Sequence, residues 1–155
     1  MVSNVALFLP EPQVTDQLGI ALGSVLHAGD IVLLSGDVGA GKTHLARALI
    51  ASLLAAPEDI PSPTFTLVQT YETRAGPLWH ADLYRLSDAS EIEELGLSDA
   101  FETAICLIEW PDRLGEVPTQ ALNIHLQEKG GGRQATLSWA SGAWAERLEE
   151  VSAHV

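Results

Sequence analysis

The sequence predicts an α/β fold, a mixed sheet with a parallel core, antiparallel edge strands and helices on its faces. Three observations lead there. Residues 31–34 form a short apolar run of strand type, followed by a glycine-rich turn and then a segment of helical period. Residues 104–108 are apolar at every position, as expected of a parallel strand covered on both faces. Leu122, Ile124 and Leu126, then Ala135, Leu137 and Trp139, alternate with other residues on either side of Gly130-Gly131-Gly132, the pattern of a hairpin. At 155 residues the length fits one domain, residues 1–155, with a core large enough to need no disulfide.

The elements follow in order. Residues 5–9 are an apolar strand closed by Pro10 and Pro12. Val14, Leu18, Leu22, Val25 and Leu26 recur at helical spacing, and Gly29 is placed to end that helix. After the strand at 31–34, Leu45, Ala46, Leu49, Ile50 and Leu53 mark a buried helix up to Pro57. Pro61-Ser62-Pro63 commits the chain to extended structure, giving strands at 65–71 and 78–84 joined by the turn at 74–77. Ser87 is an N-cap candidate for a helix through Leu95, stopped by Gly96. The strand at 104–108 ends at Pro111, and Trp144, Leu148 and Val151 line one face of a last short helix.

Composition narrows the function. Twenty-one acidic residues face eight basic ones, a net charge of −13. Such a field repels nucleic-acid backbones, and no basic stripe counters it, so direct DNA or RNA binding is not expected. No apolar run reaches the length of a membrane span and no basic leader opens the chain, so a cytoplasmic protein is expected. The single cysteine, Cys106, lies within an apolar run and reads as a small buried hydrophobe.

The turn after residue 34 is the most specific signal. Gly36-Asp37-Val38-Gly39-Ala40-Gly41-Lys42-Thr43 fits the pattern G-x-x-x-x-G-K-[ST] in full, between a strand and a helix. Its glycines allow backbone N–H groups to turn inward around a polyphosphate, Lys42 can reach the outer phosphates, and the Thr43 hydroxyl can ligate Mg2+. One of only two lysines in the chain stands here. Binding of a nucleoside triphosphate in a P-loop NTPase-like fold is therefore expected. Hydrolysis also needs an acidic residue at the end of a neighbouring buried strand, where Glu109 stands. Asp82 is the second acid. It shares a strand face with His80 and Tyr84, and His80 is a possible polar partner holding it.

Five motifs in order, the phosphate loop, Ser62-Pro63-Thr64-Phe65, His80-x-Asp82-x-Tyr84-Arg85, Glu94-Leu95-Gly96-Leu97 and Ile108-Glu109-Trp110-Pro111-Asp112-Arg113, resemble the TsaE (YjeE) family. The resemblance runs from about residue 29 to residue 126. It implies an ATP- and Mg2+-binding protein of low intrinsic ATPase activity, working with TsaD-like and TsaB-like proteins in tRNA threonylcarbamoyladenosine modification. ATP hydrolysis would reset that complex, and tRNA would be met only through it. It further implies that Thr64 is a switch-like position near the γ-phosphate and that Asp82 and Glu109 are the acidic pair of hydrolysis. Trp110 lies either beside the nucleotide or in the core, and Arg85 or Arg113 serves either transition-state charge or a salt bridge. Position 44, usually threonine or serine in that family, is His44, which either donates a ring N–H to an inner phosphate or points away.

Two other functions fit a phosphate loop: a small kinase of a metabolite, and a nucleotide-gated binding module without significant turnover. The chain lacks an obvious arginine-rich lid for the first. A GTPase is disfavoured because Asn-Lys-x-Asp occurs nowhere.

Overall fold

The computed structural model describes residues 2–63, 66–86, 88 and 90–155. In chain order the elements are β1 (Ser3–Leu9), α1 (Pro12–Gly23), β2 (Ile31–Ser35), α2 (Lys42–Leu53), β3 (Val68–Thr73), β4 (Gly76–Asp82), α3 (Ser90–Leu95), α4 (Leu97–Thr103), β5 (Ile105–Glu109), a 3-10 turn (Pro111–Arg113), β6 (Leu122–Lys129), β7 (Gly132–Trp139) and α5 (Ala143–Ala153). One seven-stranded sheet has the order β1-β7-β6-β2-β5-β4-β3. The central strands β6, β2, β5 and β4 are parallel, while β7 and β1 at one edge and β3 at the other run antiparallel to their neighbours. This is the predicted mixed sheet.

The apolar runs are continuous because each central strand is packed on both sides. Val32 and Leu34 of β2, with Ile105 and Leu107 of β5, join Leu18, Leu22, Leu45, Ile50 and Trp144 from α1, α2 and α5. Ile31 and Leu33, with Cys106 and Ile108, face Ile92, Leu97 and Ala100 of α3 and α4. Period-two geometry thus sends alternate residues into two separate apolar layers. Cys106 lies fully inside the second, and burial pushes its thiol up to about 12. Among the described residues, no helix is long and apolar enough to cross a membrane.

Several boundaries differ from expectation. The first helix starts at Pro12, whose fixed φ suits the first helical position, and ends at Gly23 rather than near Leu26. Ser24 closes it through an N–H bond to the Ile20 carbonyl, and Gly29 instead makes the turn into β2, at φ +96°. The strand expected from residue 65 begins at Val68, after Leu67 adopts φ +66° and donates its N–H to the Pro63 carbonyl. Its partner stops at Asp82 rather than Tyr84, because the Asp82 side chain itself takes the Tyr84 N–H. Gly96 does end a helix, but a further one, α4, starts immediately after it and was not expected. The proposed cap Ser87, and Thr64 and Phe65, lie outside the described residues.

Candidate active site

Strands β2, β4 and β5 are parallel, so their C-terminal ends meet at one edge of the sheet, where α/β folds place their ligands. The loop from Gly36 to Gly41 leaves β2 there and opens α2. Gly36 has φ +139°, and a Cβ on it would stand 2.3 Å from the Leu126 carbonyl oxygen, so only glycine fits. Gly39 and Gly41 also have positive φ, but a Cβ on either would meet no atom within 4 Å. Their backbone therefore curves around open space. Gly41 caps α2 without a side-chain bond, and the first helical bond runs from the Leu45 N–H to the Gly41 carbonyl. The N–H groups of Lys42, Thr43 and His44 precede that bond and are oriented as donors for an anion.

Lys42 is buried at the base of this cradle. Its Nζ donates to the carbonyls of Gly36 (2.7 Å) and Asp37 (2.9 Å) and lies 4.3 Å from the centroid of the Trp110 ring. Burial lowers its pKa, while the charges of Glu109, Asp82 and Asp37 act to raise it. Thr43 Oγ1 donates to Glu109 Oε1 at 2.9 Å. Glu109 ends β5 with 2% of its surface exposed, and its second oxygen accepts from His80 Nε2 at 2.7 Å. His80 thus holds Glu109, not Asp82.

Asp82 stands directly opposite Glu109 in the register of β4 and β5. Its Oδ1 accepts the Tyr84 N–H at 3.0 Å. Burial raises its pKa, the Tyr84 bond opposes this, Glu109 adds to it, and His80 and Lys42 pull the other way. Two carboxylates therefore sit side by side beside the Thr43 hydroxyl. Among the described residues no group of three or more His, Cys, Asp or Glu is arranged to hold a metal ion. The donors nevertheless fit Mg2+ of the kind that takes one or two carboxylates or a hydroxyl and completes its shell with phosphate oxygens and water.

Trp110 follows Glu109 in the left-handed region (φ +60°, ψ +55°) and packs on Tyr84, with ring centroids 4.8 Å apart. That backbone bend turns the indole over Lys42, so Trp110 lines the site. A cavity of about 400 Å3 brings together Lys42, Thr43, Asp82, Tyr84, Glu109 and Trp110. A second, of about 390 Å3, lies on the other side of the loop, where Gly39, Gly41 and His44 face Pro10, Thr15 and Arg133.

The remaining candidates divide. Asp37 and Val38 form the loop tip, with Val38 79% exposed, while Ala40 is buried beneath it. His44 lines both cavities, but its Nε2 lies 2.8 Å from Asp16 Oδ1, so the ring turns toward α1. Arg113 is exposed on the 3-10 turn and lines neither cavity, and Arg85 is exposed in the turn after β4. Thr64 lies outside the described residues.

Sequence reasoning missed Arg133. Its guanidinium reaches from β7 to the Ala40 carbonyl (Nε, 3.1 Å) and the Gly39 carbonyl (3.2 Å). It thereby fixes the outward-facing oxygens of the loop whose N–H groups face in. No local pattern marks this residue, because the contact spans more than ninety positions of chain.

The family model described as "Threonylcarbamoyl adenosine biosynthesis protein TsaE" matches residues 9–135. A protein of Nostoc named tRNA threonylcarbamoyladenosine biosynthesis protein TsaE is 41% identical over 138 residues, covering 85% of this chain and 84% of the relative. A protein of the same name from Bacillus subtilis is 33% identical over 146 residues, covering 92% and 90%. The crystal structure of Bacillus subtilis YdiB superposes with a TM-score of 0.78 at 28% identity, covering 99% of this chain and 97% of that one.

Proposed function

The chain belongs to the TsaE family of threonylcarbamoyl adenosine biosynthesis proteins, and from that membership and the site geometry we propose that it is a Mg2+-dependent ATPase of low intrinsic activity. It acts as a subunit with TsaD-like and TsaB-like proteins in tRNA threonylcarbamoyladenosine modification and resets their complex by hydrolysing ATP. The observation that carries this reading is the glycine cradle, with Lys42 beneath it and Thr43, Asp82 and Glu109 at its side.

The free N–H groups of Lys42, Thr43 and His44 at the start of α2 receive the phosphates, and Lys42 exchanges the Gly36 and Asp37 carbonyls for phosphate oxygens. The Thr43 hydroxyl, which donates to Glu109 in the free protein, would turn to the metal. The Thr43 hydroxyl, with Asp82 and Glu109 beside it, would hold Mg2+, which would supply positive charge against the charge that develops on the phosphates. Glu109 then orients a water whose oxygen bonds to the γ-phosphorus as the bond to the bridging oxygen breaks, and the water proton passes to the carboxylate or to phosphate. Trp110 and Tyr84 line this end of the site. The net charge of −13 fits a subunit that leaves tRNA contact to its partners.

The test is turnover. The purified chain should hydrolyse ATP slowly and faster once TsaD-like and TsaB-like proteins are added, with co-elution on a sizing column. Unchanged hydrolysis and no co-elution would reject the partner role.

A further inference from the structure

His80 is completely buried, and its place in the sheet calls for a hydrocarbon. It lies on β4 in register with Leu107, on the strand face that also carries Leu78, and both leucines belong to the apolar layer beneath α1 and α2. An imidazole there loses hydration on two nitrogens and regains one bond. Nε2 meets Glu109 Oε2 at 2.7 Å, while Nδ1 has no hydrogen-bond partner among the described residues. A buried polar atom left unpaired is costly, so a half-satisfied ring in an apolar layer points to a role beyond packing.

We propose that His80 is a positioning residue of the site, holding the Glu109 carboxylate so that its other oxygen faces Thr43. The inference rests on the ATPase reading above. Glu109 is a flexible side chain at a strand end, and its two oxygens are tied in different directions, Oε1 to the Thr43 hydroxyl and Oε2 to the ring. Once the Thr43 hydroxyl turns to Mg·ATP, the first tie is released and, of the two, the His80 bond still holds the carboxylate. With Glu109 ionised the bond requires Nε2 to carry a proton, and in the neutral ring the unpartnered Nδ1 is then a bare lone pair. The register supplies the direction: His80 is opposite Leu107, and Glu109 is two residues further along the same face of β5. A histidine that orients a ligating carboxylate from behind does for it what a carboxylate does for a metal-bound histidine.

Two variants and one spectrum test this. In His80→Leu, the turnover number for Mg·ATP with the partner proteins should fall about 10–100-fold, with ATP affinity nearly unchanged. In His80→Gln, whose amide N–H2 reaches toward the same oxygen, most of that rate should return. Independently of turnover, the nitrogen-15 spectrum of the nucleotide-free full chain should contain one solvent-protected imidazole N–H. It should disappear in His80→Leu and move in Glu109→Gln. Full turnover in the leucine variant, equal losses in both His80 variants, or no protected ring N–H in the wild-type protein would each overturn the proposal. If the leucine variant does not fold, the glutamine variant and the spectrum decide. If the wild-type protein hydrolyses nothing with its partners, the ATPase reading fails, and the spectrum still decides whether the His80–Glu109 tie exists.

Discussion

At the residue that leads into β2, Asp30 is buried against Arg147 of α5; at the C-terminal end of neighbouring β5, Glu109 is buried beside Asp82. Asp30 is fully served. It accepts the His27 N–H at 2.8 Å and two guanidinium bonds from Arg147, at 2.6 and 3.2 Å. Arg147 in turn donates to the Val25 carbonyl and stacks on Trp144, 3.9 Å from its ring centroid. Asp82 and Glu109 have no such cation. Among the described residues neither forms an ion pair with arginine or lysine, and the ammonium of Lys42 is spent on loop carbonyls. The two regions bury acids in the same sheet, yet one is an electrostatically closed fastening and the other carries excess negative charge next to donors facing outward. Closed charge reads as stability, open charge as a place for a cation and an anion to arrive together.

The largest effect that would break or support this contrast is on catalysis. Glu109→Gln and Asp82→Ala should each lower ATP turnover by about 100-fold or more while largely sparing ATP binding. Full activity in either variant would remove that acid from the catalytic pair. At the fastening, Arg147→Met leaves Asp30 buried without its cation and should cost about 3 kcal/mol of stability, a fall in Tm of about 10 °C. Turnover per folded molecule should stay unchanged. A loss of turnover at full stability would mean the fastening is not merely structural.

Between these extremes lies Arg133, which braces the loop from outside. Arg133→Met should weaken ATP affinity about five- to tenfold, the scale of one ordinary net hydrogen bond, with the Tm little changed. Calorimetric titration would show it. The smallest effect concerns pH. Burial raises the pKa of Asp82 above its ordinary 3.8, so the folded protein holds that proton to higher pH than the unfolded chain does. The group therefore favours the fold at low pH, and that contribution is lost as pH rises through the raised value. Asp82→Asn should accordingly raise the Tm slightly at neutral pH, with the gain shrinking as pH falls toward 3.8. A gain that grows on acidification would reverse the assigned direction.

Much of this was legible in the chain, for local reasons. The phosphate loop is read from contiguous residues because its geometry depends on glycines at fixed offsets, and Glu109 is found because a strand buried on both faces has no polar position until it ends. Helix ends were less legible. Val25 and Leu26 keep the apolar period of α1 but lie in the turn after it, since packing rewards an apolar side chain whether or not its backbone is helical. Gly96 looks like a full stop, although a left-handed glycine serves equally to end α3 and to open α4. The ties of Arg133 to the loop and of His80 to Glu109 join strands far apart in sequence, and only the sheet order β7-β6-β2-β5-β4 makes them visible.

The central claim is that the loop at residues 36–43 grips the triphosphate of Mg·ATP. Isothermal titration of the folded chain with ATP in the presence of Mg2+ tests it directly. The account predicts saturable binding at one site per chain, abolished or strongly weakened by Lys42→Ala. No heat of association with the folded wild-type protein, or unaltered binding in that variant, would contradict it.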